Sequence, residues 1–167
     1  QTCALPILQA NLATEDIIVA GGLGNDVLDA RPVTAPTSVR LTLAGQDGND
    51  QLWGGVGNDV LSGDLGDDFA QGGPGNDIVR GGAGADSLAG GDGNDLVQGQ
   101  GGSKDTVSGG GGNDTLDGGA GADFMAEAGN VNFTLTDVQL TGLGTDQLID
   151  LEAAQLSGGP GNNLFDA

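Results

Sequence analysis

Over about half of this chain an apolar side chain recurs at every ninth position, with no long apolar run between. The row is Leu52, Leu61, Ala70, Val79, Leu88 and Val97, followed after one ten-residue step by Val107, Leu116 and Met125. Each is the middle residue of a short stretch separated from the next by a glycine-rich segment that ends in Asp. In an extended chain the middle side chain points to one face and its two neighbours to the other, so the row is predicted to line a narrow interior, with the glycine-rich segments turning outward. Gly45 to Ala126 can be written as nine units: GQDGNDQLW, GGVGNDVLS, GDLGDDFAQ, GGPGNDIVR, GGAGADSLA, GGDGNDLVQ, GQGGSKDTVS, GGGGNDTLD and GGAGADFMA. Asp therefore recurs at 50, 59, 68, 77, 86 and 95, and after the longer unit at 105, 114 and 123.

Composition by itself points elsewhere. Only 37% of the 167 residues are hydrophobic and 3% aromatic, with 35 Gly, 5 Pro and a formal net charge of -20, the profile of a disordered chain with too little apolar surface for a broad core. The strict period overturns that reading, because repeats that cannot bury an apolar face alone do so by stacking. The acidity is also selective: 21 of the 24 carboxylates are Asp, and only Glu15, Glu127 and Glu152 are Glu. Short carboxylates beside Gly suit tight turns in which the charge sits close to the backbone. Four Lys and Arg make nucleic acid an improbable partner. The opening QTCALPI, Gln1 to Ile7, reads like a translated sequencing adapter and is taken as an artefact. The sole cysteine, Cys3, lies within it, so no disulfide framework is expected. No membrane-spanning run is visible.

Each turn offers one carboxylate and several carbonyls. For a single loop, Asp could serve only local backbone hydrogen bonding. Nine stacked loops would bring like charges into register, and a cation between them resolves the repulsion. Calcium takes six to eight hard oxygen ligands. Zinc and copper are disfavoured without His, and magnesium prefers a more hydrated octahedral site.

The units follow GGxGxDxUx, with U a large apolar residue, and resemble the repeats-in-toxin (RTX) calcium-binding nonapeptides, a motif already known to bind calcium. The resemblance covers Gly45 to Ala126, with isolated units GGLGNDVLD at Gly21 and GGPGNNLFD at Gly158. It implies an all-β fold, a parallel β-roll (β-solenoid) in which two nonapeptides make one coil and each ion lies between a turn and the turn two units later. Carried over by position, Gly55, Gly57 and Asp59 share an ion with Gly72, Pro74 and Asp77. Gly73, Gly75 and Asp77 pair with Gly90, Asp92 and Asp95, and Gly91, Gly93 and Asp95 with Gly109, Gly111 and Asp114. Gln46, Gly48 and Asp50 face Gly63, Leu65 and Asp68, while Asp64, Gly66 and Asp68 face Gly81, Ala83 and Asp86. Pro74 is compatible, since its position supplies a carbonyl and no N–H. About five to seven calcium ions are expected by this ligand counting. Sites involving Asp105 and Asp123 are weakened by the extra residue near Gly99 and Gln100 and by Ser103 and Lys104. Asp26, cut off from the array by Ala30 to Ala44, is given no stacking partner, and Asn163 replaces Asp in the last unit.

The expected organisation is a flank with one isolated repeat over 8–44, the calcium-binding roll over 45–126, metal-free strands continuing or capping it over 127–157, and a further repeat starting at 158–167. Val39, Leu41 and Leu43 predict one flanking strand and Val131, Phe133 and Leu135 another, with a short helix possible around Leu151 to Ala154. Val19 to Ala30 aligns with Leu156 to Ala167 at an offset of 137 residues, as in a longer array. The function these readings favour is calcium-driven folding of a secreted bacterial protein, extracellular or at the cell surface, by type I secretion. The alternatives are the C-terminal module of a secreted protease, lipase or epimerase whose catalytic domain lies elsewhere, and a structural or adhesive segment of a large surface protein. With no His, no Tyr, no HExxH and no GxSxG, no catalytic residue is assigned. Trp53, Phe69 and Phe124 are read as packing residues, and Arg31, Arg40, Arg80 and Lys104 as solvated counter-charges.

Overall fold

The computed structural model describes residues 16–31, 40–128, 134–136, 139–141, 145–151, 153–157 and 164–165. Among them the chain is all β and contains no helix. It winds as a parallel β-solenoid whose coils each contribute one strand to each of two sheets. Its strands are β1 (Ile17–Leu23), β2 (Val27–Asp29), β3 (Leu41–Asp47), β4 (Gln51–Trp53), β5 (Val60–Leu65), β6 (Phe69–Pro74), β7 (Ile78–Gly84), β8 (Ser87–Asp92), β9 (Leu96–Gly102), β10 (Thr106–Gly111), β11 (Thr115–Asp117), β12 (Phe124–Ala128), β13 (Thr134–Thr136), β14 (Gln139–Thr141), β15 (Thr145–Ile149), β16 (Ala153–Ser157) and β17 (Leu164–Phe165). One sheet runs β1-β3-β5-β7-β9-β11-β15-β14-β13-β17 and the other β16-β12-β10-β8-β6-β4-β2.

The nonapeptide period generates this winding. Because one unit crosses to the opposite sheet and the next returns, register between neighbouring strands advances by two units, as in Leu61 with Val79 and Val79 with Val97. The apolar row therefore stacks upon itself between the sheets. Every member from Leu52 to Met125 is buried, and the column extends at the N-terminal end through Leu28, Leu41 and Leu43. The core is only one side chain wide, which is why a chain so poor in hydrophobic residues can fill it.

Both flanks join the roll. β1 lies against β3 in parallel, pairing Ile17 with Leu41 and Val19 with Leu43. The step between these coils is longer by six residues than the regular 18, seen in Asp26 facing Asp50. After β12 the chain adds the antiparallel arm β13–β14–β15. It then continues both sheets, β15 beside β11 and β16 beside β12. Two expectations change here. The helix considered around Leu151 to Ala154 is absent, since Ala153–Ser157 is a strand paired in register with β12. The extra residue of the ten-residue unit is absorbed between Gly102 and Asp105, not at Gly99 and Gln100: register is still 18 at Ala83 with Gly101 and Gly84 with Gly102, and becomes 19 only at Ser87 with Thr106. An insertion at the tip of a turn spares both sheets. Val39, Val131 and Phe133 lie outside the described residues, as do Gln1 to Ile7 and Asn163.

Arg31 is tied down more than a solvated counter-charge would be. Its guanidinium donates to both oxygens of Asp29 at 2.9 and 2.7 Å and lies 4.4 Å from the centre of the Trp53 ring, whose other neighbour is Phe69.

Leu61 is fully buried in the single apolar column, so Leu61→Ala leaves a void with no second layer to close it. A loss of about 2–5 kcal/mol is expected, read by denaturant unfolding in calcium; a loss below about 1 kcal/mol would mean that the column is not the core.

Candidate metal centre

The turns form two columns, one along each side of the roll. The first holds Asp26, Asp50, Asp68, Asp86, Asp105 and Asp123, and the second Asp59, Asp77, Asp95, Asp114 and Asp146. All eleven are buried, none more than 4% exposed. For nine of them the cause is local: the glycine five residues earlier has no side chain, and the carboxylate folds back over its Cα; Asp105 folds over Gly99, six residues earlier, and Asp146 has Thr141 at that place.

All but Asp26, on the first described coil, use one oxygen to hold the previous coil. In the first column the Asp26 N–H donates to Asp50 Oδ1 at 2.7 Å, Asp50 to Asp68 at 2.7 Å, Asp68 to Asp86 at 2.9 Å, Asp86 to Asp105 at 2.9 Å and Asp105 to Asp123 at 2.8 Å. In the second, Asp59 donates to Asp77, Asp77 to Asp95, Asp95 to Asp114 and Asp114 to Asp146, at 2.7, 2.7, 2.8 and 3.1 Å. A parallel ladder on the surface uses the residue before each Asp, with the Asn76 N–H on Asn58 Oδ1 and the Asn94 N–H on Asn76 Oδ1.

The other carboxylate oxygen differs. In Asp26, Asp50, Asp59, Asp68, Asp77, Asp86, Asp95, Asp105 and Asp114 the Oδ2 atom is buried and accepts no hydrogen bond. It is not surrounded by apolar groups. A Cβ placed on Gly54 would meet Asp59 Oδ2 at 2.9 Å and the Gly72 carbonyl oxygen of the next coil at 2.6 Å, so the two oxygens border one small space. The same pair recurs as Asp68 Oδ2 with the Gly81 carbonyl and as Asp77 Oδ2 with the Gly90 carbonyl. Oxygen beside oxygen, buried and without a donor, is an arrangement that needs a cation or a proton.

Electrostatics agree. Burial, reinforced by neighbouring Asp charges, pushes the carboxyl of Asp77 up to about 7 and those of Asp68, Asp86 and Asp95 up to about 6, while hydrogen bonds from the previous coil pull the other way. Burial likewise raises Asp50, Asp59, Asp105 and Asp114. Among the described residues no three carboxylates converge closely enough to hold an ion alone. Main-chain carbonyls must then supply the remaining ligands, and hard oxygen donors of both kinds suit calcium.

The structure lays turn residues one coil apart against each other. The Gly55 N–H donates to the Gly72 carbonyl at 3.0 Å and the Gly57 N–H to the Pro74 carbonyl at 2.9 Å. Gly48 donates to Leu65, Gly66 to Ala83, Gly75 to Asp92 and Gly93 to Gly111, at 2.6 to 2.8 Å. Strand register adds Gly73 beside Gly91 and Asp64 beside Gly82. Gly63, Gly81, Gly90 and Gly109 are the glycines beneath Asp68, Asp86, Asp95 and Asp114. Asp26 needs correction: it does have a stacking partner, Asp50, and the Gly24 N–H meets the Asp47 carbonyl at 2.7 Å, because the six extra residues leave the turn itself in register. Asp105 and Asp123 stack regularly despite the longer unit.

Asp146 was missed, although burial pushes its carboxyl up to about 7 and it extends the second column. Its signal lies in TGLGTDQLI, Thr141 to Ile149, which is the nonapeptide with Thr in place of the first Gly. The 14 additional residues that separate it from the regular spacing hide it, Asp114 and Asp146 being 32 apart.

Fold and site together define a calcium-binding parallel β-roll. A family profile, RTX calcium-binding nonapeptide repeat (4 copies), matches residues 42–70, 71–103 and 101–126, half of the chain. The chain belongs to that family. No curated protein matches it. The family and the solenoid are those of a structural calcium-binding module. Among the described residues no helix is long and apolar enough to cross a membrane.

Two outcomes test this geometry. Gly75 has φ +147°, and a Cβ there would collide with the Gly57 carbonyl of the coil below, whereas Gly22, at φ +110°, lies on the first described coil and meets nothing. Gly22→Ala should cost only the left-handed strain, about 1–2 kcal/mol, and Gly75→Ala clearly more; equal losses on denaturation would show that coils do not stack so closely. Without calcium, the raised carboxyls favour the folded roll only when protonated. Their contribution is complete below the ordinary carboxyl range and is lost as pH rises through about 6 to 7. Calcium-free circular dichroism should therefore show more β structure at about pH 4 than at about pH 8, and the reverse order would contradict the carboxyl burial described.

Proposed function

We propose that this chain is a calcium-driven folding module of a protein that acts outside the cell. The observation that carries the reading is the row of buried Asp Oδ2 atoms without a hydrogen-bond donor, those of Asp59, Asp68 and Asp77 among them lying beside a main-chain carbonyl oxygen. In this reading ions lie between turns one coil apart. Asp59 with Asp77, Asp77 with Asp95 and Asp95 with Asp114 hold ions in the second column; Asp50 with Asp68 and Asp68 with Asp86 hold them in the first. Gly55, Gly57, Gly73, Gly75, Gly91, Gly93, Gln46, Gly48, Asp64 and Gly66 contribute carbonyls from the earlier turn. Gly72, Pro74, Gly90, Asp92, Gly109, Gly111, Gly63, Leu65, Gly81 and Ala83 contribute them from the later one. The stacking of Asp26 on Asp50, and of Asp105 between Asp86 and Asp123, extends the same scheme to both ends of the first column.

The physical consequence is coupling of binding to folding. At the low calcium of a cytosol the charge of -20 opposes a compact chain. About six ions would bring the formal charge to about -8, and affinities of extracellular modules, about 10⁻⁴ to 10⁻³ M, place the transition at the crossing of the cell envelope. Because the ions bind the folded roll and not the unfolded chain, their binding free energy becomes folding free energy. A role in secretion, by a type I route or at the cell surface, follows from such a switch.

Circular dichroism in EGTA should report a largely unfolded chain, and added calcium in the millimolar range should produce β structure, with magnesium far less effective. Equal order in EGTA and calcium, or equal ordering by magnesium, would overturn the reading.

A further inference from the structure

Three peptide steps in the chain join Asp to Gly: Asp47–Gly48, Asp92–Gly93 and Asp117–Gly118. None of these aspartates belongs to the buried columns. Asp47 and Asp92 stand at the third place of their turns with exposed side chains, and Asp117 is half-buried at the last place of its unit. Each column aspartate is instead followed by a residue that carries a side chain, as in Asp59–Val60 and Asp77–Ile78.

The distinction is chemical. An Asp carboxyl lies within reach of the main-chain nitrogen that follows it, and that nitrogen can attack Cγ. The N–Cγ bond forms, the amide proton and the carboxyl hydroxyl leave as water, and a succinimide ring results. Water then reopens the ring. Where it adds at the main-chain carbonyl, the bond from that carbonyl to the glycine nitrogen breaks, and the backbone runs on through Cβ and Cγ as isoaspartate, longer by one methylene. The water lost in the first step is regained in the second, so no other reactant is needed. Glycine, without Cβ, leaves the nitrogen unhindered and the backbone free to rotate.

The wound roll blocks all three steps. Asp47, Asp92 and Asp117 are the last residues of β3, β8 and β11, so each is held in a paired strand where the ring would have to close. The nitrogens that would attack are committed as donors, Gly48 to the Leu65 carbonyl at 2.8 Å, Gly93 to Gly111 at 2.6 Å and Gly118 to Ile149 at 3.0 Å. From the other side the Asp47 carbonyl accepts from the Gly24 N–H at 2.7 Å and the Asp92 carbonyl from the Gly75 N–H at 2.8 Å. A turn must therefore come away from its neighbours before its nitrogen can react, and such local opening is infrequent inside a stacked array. An unwound chain has neither restraint.

The product does not fit the roll. Asp47 lies beside Leu65 and Asp92 beside Pro74 in a register of 18, and the Gly48 and Gly93 carbonyls then press on Gly66 and Gly112 of the next coil. The additional residue at the Ser103–Lys104 tip enters only after Gly102 has met Gly84. Isoaspartate lengthens the chain before the equivalent contact of Gly48 or Gly93.

We propose that these Asp–Gly steps are isomerisation sites gated by calcium: the loaded roll preserves them, whereas a chain kept unwound converts to isoaspartate and can no longer wind. The inference rests on the calcium reading above and adds to it a covalent record of time spent without the ion.

The test is prolonged incubation of the full chain at neutral pH in heavy-oxygen water, with EGTA in one arm and millimolar calcium in the other. Hydrolysis of the ring leaves a heavy oxygen at the residue that reacted, which peptide fragmentation by mass spectrometry locates. In EGTA, Asp47, Asp92 and Asp117 should gain label and isoaspartate at least about tenfold faster than in calcium, because reaction follows the population of open turns. Asp59, followed by Val60, should stay unlabelled in both arms; label there as fast as at Asp47 overturns the part given to glycine. A smaller ratio between the arms, in a chain that circular dichroism shows unwound in EGTA and wound in calcium, overturns the inference and leaves the calcium reading standing. Equal order in both arms overturns the two together. Molecules with and without isoaspartate are then separated and returned to calcium. The unmodified ones should regain β structure and the modified ones should not; equal recovery overturns the claim that the roll rejects the longer backbone.

Discussion

Placing like-charged carboxylates one strand spacing apart, away from water, is the constraint on which this fold turns. Neighbouring coils stand about 4.8 Å apart, and two unit charges at that distance repel by roughly 3 kcal/mol at an effective dielectric of about 20. Repeated up each column, this repulsion adds to the cost of burying each carboxylate, which is the larger effect. Each Asp beyond Asp26 nevertheless commits one oxygen to the coil before it, so the turns cannot relax by swinging the carboxylates out without breaking the ladder. The orphaned oxygens and the stacked backbone are therefore one feature, and neutralisation of the first is the condition for the second.

Glycine follows from the same closeness. Where coils press turn on turn, a carbonyl of one sits against the Cα of the next, as Gly57 does against Gly75, and no side chain fits between. The exceptions are informative. Gln46, Asp64 and Gln100 take positive φ at the second place of first-column turns, so the left-handed backbone is imposed there even on residues that disfavour it. Among the described residues the register shifts spare this contact: by one residue at the Ser103–Lys104 tip, by six between β2 and β3, and by 14 before β15.

The ends of the roll depart from its repeats in character as well as in length. At the N-terminal side Ile18 and Leu23 on β1 are exposed at 75% and 84%, and Arg31 is locked between Asp29 and Trp53. At the C-terminal side the carbonyl ladder gives way to a side-chain carboxylate. A repeat array contacts only its neighbours, so a terminal coil must satisfy by other means what an inner coil receives from the next. Glu127 does so for the N–H groups of Gly109 and Gly110.

The sequence by itself determined the period, the interior row from Leu52 to Met125 and the aspartates from Asp50 to Asp123, because each depends on residues within a single nonapeptide. Which turns face each other came with the resemblance to the RTX repeats, since a nine-residue period alone does not say how many units make one coil. What it left undecided were the places where the spacing breaks. Asp26 finds Asp50 across six additional residues, Asp146 finds Asp114 across 14, and Glu127 reaches Gly109 only because β12 parts from β10. Those contacts depend on how loops of irregular length close in space. No local pattern encodes that closure, and only the tertiary stacking of the coils could decide it.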